Sequence, residues 1–107
     1  EKSYNHLDSI ANFLLKNDSL IIEIGVHTDG RGSDHYSSRL ELKRAESIKA
    51  YLIEKGVEIN RLSAIGYGMD KLIYSNKEIE HLKTVQEKEA AHAVNRRTEF
   101  KIIAIQQ

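Results

Sequence analysis

Residues 20–26, "LIIEIGV", run almost without interruption through apolar and mostly β-branched side chains, with a single glutamate. A run of this length and composition predicts a strand. A strand apolar on both faces needs cover on both faces, which places it inside a sheet flanked by helices. The neighbouring segments supply the helices. Tyr4, Leu7, Ile10, Ala11, Phe13 and Leu14 recur at steps of three and four, predicting a helix over 3–16 with one apolar face. Asn17, Asp18 and Ser19 end it with turn chemistry. After the strand, Gly30-Arg31-Gly32 forms a turn, with Ser33 as helix N-cap and Asp34 favoured by the dipole in the first turn. Tyr36, Leu40, Ile48 and Leu52 then recur at multiples of four, predicting a helix over 34–55 closed by Gly56 as a left-handed cap.

Leu62, Ala64 and Ile65 form the body of a second strand, with Gly66 and Gly68 at its exit. Residues 77–94 carry a weaker helical stripe of Ile79, Leu82, Val85 and Ala90. Residues 97–105, "RTEFKIIAI", predict a strand in which Phe100, Ile102 and Ala104 alternate with Glu99, Lys101 and Ile103. Helices alternating with strands imply an α/β (α+β) two-layer sandwich, with helices packed on one sheet. At 107 residues this is a single domain, 1–107. It opens inside a predicted helix, so the expectation is an N-terminally truncated domain.

Charge and composition remove several function classes. Sixteen basic residues balance sixteen acidic ones. A general nucleic-acid binder or an electrostatic membrane anchor needs a basic excess, so nucleic acid is not an expected partner. No apolar run approaches the ~18 residues of a membrane span, so any membrane link is expected only through segments outside this chain. The absence of cysteine excludes disulfides and thiolate metal sites.

The chemistry concentrates in "GVHTDGRGSDHYSSRLELKRA", residues 25–45. The predicted strand delivers His27, Thr28 and Asp29 to its C-terminal end, where ligands of layered α/β domains gather. On the following helix Ser37 and Arg44 are seven residues apart, two turns, and share a face. A carboxylate at the strand end and a guanidinium on the next helix can flank one cavity. They then either close into a structural Asp29–Arg44 salt bridge or hold a zwitterion, Asp29 taking the ammonium and Arg44 the carboxylate.

The ordered set "HTDGRGSDHYSSRLELKRAESIKAYLIEKGVEINRLSAIGYG" followed by "NRRTEFKI" resembles the OmpA-like peptidoglycan-binding domain, from residue 27 to about 102. The resemblance implies a βαβαβ-type fold with a mixed sheet, whose first strand and one ligand-contacting loop lie upstream of residue 1. It implies non-covalent binding of the peptidoglycan stem peptide through diaminopimelate. The role is an anchor of the outer membrane or a membrane complex to the cell wall, at the periplasmic face of the outer membrane. Carried over by position, Asp29 holds the ligand's ammonium, Arg44 its carboxylate, and Arg96 adds a basic wall; Thr28 and Leu40 stand at the pocket edge. Ser37 stands where the family has asparagine, and no proline follows Gly68. Residues 74–92 read as a variable insertion plus helix.

Two other function classes compete. His27, Asp29 and His35 carry donor types able to hold a transition metal or serve a hydrolytic site, although their spacing matches no established metal motif. The ordinary reading of His27 is a strand-end side chain packing beside Tyr67. The charged segment 77–94 is alternatively the face of a protein-protein interaction module. No serine pairs with a histidine and an acid in a recognisable triad. The expectation is therefore no enzyme, no catalytic residue, no metal and no cofactor.

Overall fold

The computed structural model describes residues 2–29, 31 and 34–106, with the side chains of 2–4 and 34–38 outside the description. Helix α1 (Lys2–Lys16) leads into strand β1 (Leu20–His27), helix α2 (Asp34–Glu54) and strand β2 (Leu62–Gly68). Two further helices, α3 (Asn76–Glu80) and α4 (Val85–Asn95), precede strand β3 (Arg97–Ile105). The strands form one mixed sheet in the order β2-β1-β3. β1 runs parallel to β2 and antiparallel to β3. The run that opened the sequence argument is thus the central strand.

Its two faces are covered differently. Ile22, Ile24 and Val26 enter one core with Ala11 and Leu14 of α1 and Ala45 and Leu52 of α2. The alternate positions, Glu23, Gly25 and His27, are covered by a side chain rather than by helices. The Tyr67 ring stacks on His27 at 4.7 Å between centroids, and its hydroxyl donates to Glu23 at 2.5 Å. A Cβ on Gly25 would lie 2.8 Å from that ring, so glycine is what lets the tyrosine lie flat on the strand. The strand is thus covered by helices on one face and by one aromatic side chain on the other, as a two-layer sandwich allows.

The helix faces also differ in detail from the predicted stripes. Phe13 is half exposed, and the buried row of α1 is Ala11 and Leu14. On α2 the buried row runs Glu41, Ala45 and Leu52, with Ile48 half-buried in line with it, so Leu40 lies one position off it and is exposed. A glutamate inside the apolar row disguised its phase. The end of α2 follows the sequence signal. Gly56 has φ +112°, its N–H donates to Ile53 O, and Val57 N–H donates to Leu52 O. This is the paired bond pattern of a Schellman cap, with Leu52 and Val57 both buried beneath it.

The single helix expected over 77–94 is two helices. Ser75 caps α3 with Glu78, and Thr84 caps α4 with Glu87; both are complete capping boxes. The second box starts a new helix where the apolar spacing alone suggested continuation. β3 forms where expected, yet its alternation does not sort into a buried and an open side: Ile102, Ile103 and Ile105 are about half or more exposed.

Arg61 fastens the base of the domain. Its side chain is 3% exposed. Its guanidinium donates to the carbonyls of Leu14 and Asn17 at 2.8 Å and of Leu20 at 3.0 Å, and to the Glu58 carboxylate at 3.0 Å. One side chain thereby ties the end of α1 and the start of β1 to the turn preceding β2.

Candidate functional site

The candidate site is built where β1 stops. The Thr28 N–H donates to Gly68 O at 2.8 Å, which holds the exit of β1 against the exit of β2. The next residue, Asp29, is 6% exposed. A carboxylate that covered needs donors, and it has three. Oδ1 accepts the Arg31 backbone N–H at 3.0 Å; Oδ2 accepts Arg31 Nη2 and Arg96 Nη1, each at 2.8 Å. The Arg31 hydrogen bond, aided by Arg96, holds the Asp29 carboxyl well below the usual carboxylate range, against the opposing effect of burial.

Arg96 reaches Asp29 because its neighbours are fixed. Asn95 is fully buried; its side-chain oxygen accepts the N–H groups of Ile73 and Tyr74, and its amide donates to Tyr74 O. The Arg97 guanidinium donates to Glu99, Asn95 O and Lys71 O. Asn95 and Arg97 therefore clamp the loop after β2, which lacks proline, while Arg96 between them points to Asp29.

Arg44 lies on α2 with its side chain 61% exposed. Its Nη1 donates to Glu41 Oε1 at 3.1 Å, one turn away. Glu41 is the charged member of the buried row, 1% exposed. Arg44 and Arg96 line one open cavity of about 460 Å³, together with Arg97, Thr98, His27 and Glu41. Three guanidinium groups and one carboxylate line the cavity, so it presents donors suited to an anionic group.

The structure thus brings Asp29 and Arg96 into contact, and Arg96 and Arg44 onto one cavity. The Asp29–Arg44 salt bridge does not form: Asp29 pairs with Arg31 and Arg96, and Arg44 pairs with Glu41. Asp29 contacts Arg96 but is not itself among the residues lining the cavity. Leu40 and Thr28 flank these elements without lining the cavity. The Ser37 side chain lies outside the described residues, as does that of His35. Sequence reasoning missed Glu41 as the partner of Arg44, although the spacing of three on a helix was there to read. It also passed over Arg31 as a turn residue.

The metal or hydrolytic reading gains no support. His27 is 3% exposed and stacked on Tyr67, as its ordinary reading predicted. Its Nε2 lies 3.2 Å from Glu99 Oε1 but outside hydrogen-bond alignment. Burial first, then Arg97, lowers its pKa below the ordinary value. Among the described residues no three histidine or acidic side chains gather as metal ligands.

Comparison with known proteins decides the family. The family model for OmpA matches residues 1–85. The chain belongs to the OmpA family. The OmpA-family domain is 32% identical over 102 residues to outer membrane porin F of Pseudomonas fluorescens, covering 95% of this chain and 28% of that protein. It is 37% identical over 83 residues to a peptidoglycan-associated lipoprotein of Buchnera aphidicola, covering 77% of this chain and 48% of the relative. The chain therefore spans between about a quarter and a half of these relatives' lengths. Among solved structures, the peptidoglycan-associated lipoprotein of Burkholderia pseudomallei superposes with a TM-score of 0.76 at 27% identity, over 96% of this chain and 80% of that one. The likeness bears out the mixed-sheet α+β fold. By name, these relatives are an outer membrane porin and peptidoglycan-associated lipoproteins.

Proposed function

We propose that the domain binds the peptide stem of peptidoglycan without covalent chemistry, and so anchors the outer membrane or a membrane complex to the cell wall from the periplasmic face. The observation that carries this reading is the juxtaposition of a covered, ionised Asp29 with a cavity lined by Arg44 and Arg96. Diaminopimelate ends in an ammonium and a carboxylate on one carbon. Asp29 is the acceptor for the ammonium; Arg44 and Arg96 are donors for the carboxylate, with Thr28, Ser37 and Leu40 assigned to the rim. Among the described residues Arg44 is bonded through Nη1 to Glu41, and its other nitrogens are the proposed donors to a ligand.

Each charge-assisted hydrogen bond contributes roughly 1.5–3 kcal/mol, much of it offset by desolvation and ordering. Micromolar to millimolar affinity follows, about 4–8 kcal/mol. That strength suits a polymer that presents many copies of the stem to a tethered domain. The names of the lipoprotein relatives point to the same polymer. The test is co-sedimentation with purified sacculi. Asp29→Ala and Arg44→Ala are each expected to lose binding while keeping the wild-type circular dichroism spectrum; retention of wild-type binding by both removes the pocket.

A further inference from the structure

A ligand ammonium that seeks Asp29 meets a carboxylate already occupied by cations. Arg31 Nη2 and Arg96 Nη1 both sit on Oδ2 at 2.8 Å, and the Asp29 side chain is only 9% exposed. Among the described residues both guanidinium groups crowd Oδ2, so a ligand ammonium competes with them for that oxygen. We propose that Arg31 is a built-in competitor: its guanidinium fills the ammonium subsite at Asp29 in the free protein, and the ligand's ammonium displaces it onto Glu89. The proposal rests on the stem-peptide reading above.

Three features single out Arg31 over Arg96. First, Arg31 already contacts a second acid. Its Nη1 lies 3.2 Å from Glu89 Oε2 and its Nη2 lies 3.3 Å from Glu89 Oε1. A guanidinium that lets go of Asp29 keeps its charge paired on α4, whereas Arg96 approaches Glu89 only to 3.6 Å. Second, the Arg31 backbone N–H bond to Asp29 Oδ1 is independent of its side chain. The turn and the aim of the carboxylate therefore survive when the guanidinium swings away. Third, both side chains are partly exposed, Arg31 at 50% and Arg96 at 43%, but Arg96 is held between the buried Asn95 and the triply bonded Arg97. The Arg31 guanidinium therefore has solvent to move into when a competing cation takes its place on Asp29.

The device sets specificity. Only a ligand that brings its own cation can take the place of Arg31, so a stem peptide whose side-chain amine is acetylated leaves Asp29 plugged. A competitor that occupies the site lowers apparent affinity by the fraction of time the site is free.

The test is a calorimetric titration of a soluble diaminopimelate-containing stem peptide into the wild-type chain, Arg31→Ala, Arg31→Lys and Asp29→Ala. Arg31→Ala is expected to bind about fivefold more tightly than wild type, the factor for a competitor that leaves the site free about a fifth of the time. Arg31→Lys restores a cation and is expected to return most of the way to wild type. The Arg31 substitution is expected to change nothing in an Asp29→Ala background. In the wild type, the Arg31 Nε–H NMR signal is expected to shift on saturation with the peptide and not with its acetylated form. If Arg31→Ala binds equally or more weakly while Asp29→Ala loses binding, Arg31 is not a competitor. If Asp29→Ala binds as wild type does, the stem-peptide reading itself fails.

Discussion

Replacing Arg61 with methionine isolates the polar role of the residue that ties α1, β1 and the turn before β2 together. Methionine keeps most of the buried stem volume and removes every donor. Three main-chain acceptors lose a partner: Leu14 O in buried surroundings, and Asn17 O and Leu20 O in partly buried ones. An orphaned buried acceptor costs about 1–3 kcal/mol, and a partly buried one less because water reaches it. Asn17 O also keeps its bond from Leu20 N. Release of a buried guanidinium returns part of the loss, since desolvating that charge was itself costly. The net expectation is about 3 kcal/mol, a large share of the roughly 5–15 kcal/mol by which such domains are stable. Urea unfolding at neutral pH is expected to show a lower midpoint at unchanged slope, and thermal unfolding a fall of about 15 °C. A loss below about 1 kcal/mol would refute the assignment of Arg61 as the tie.

Asp29 gives a pH signature. Its folded pKa is depressed by Arg31 and Arg96, so its stabilisation is complete above the unfolded value of about 3.9 and fades as pH falls toward the folded value. Wild type is expected to exceed Asp29→Asn by about 1–2 kcal/mol from pH 7 down to about 4, with the gap closing below that; a gap independent of pH down to 2 contradicts the pairing. Gly56→Ala places a Cβ at φ +112° with only ordinary contact, 3.5 Å, to Leu15. The expected cost is backbone strain alone, about 1 kcal/mol by chemical denaturation, and no cost would mean that the cap relaxes.

Sequence signals carried the features set by local chemistry. The apolar run at 20–26 located the central strand, and Gly56 located the end of α2, because burial on two faces and a left-handed cap each demand particular residue types. The break between α3 and α4 was also legible, in Ser75–Glu78 and Thr84–Glu87, but a weak apolar stripe was followed across it. Glu41 hid the phase of α2 by placing a charge in the buried row, a charge with Arg44 as its partner. Pairings between distant segments were not legible. Asp29 and Arg96 meet across 67 residues of chain; local spacing offered only Arg44 as a salt-bridge alternative for Asp29, and the family resemblance alone put Arg96 at the same site. The flat seat of Tyr67 on Gly25 and His27 belongs to the same class, since it depends on the parallel register of β1 and β2.

The most direct measurement of the central claim is a side-by-side titration of the chain with two soluble stem peptides, one bearing diaminopimelate and one bearing lysine at the same position. They differ in the terminal carboxylate for which Arg44 and Arg96 are proposed as donors. Loss of one charge-assisted contact predicts that the lysine peptide binds at least about tenfold more weakly. Equal or tighter binding of the lysine peptide would contradict the account.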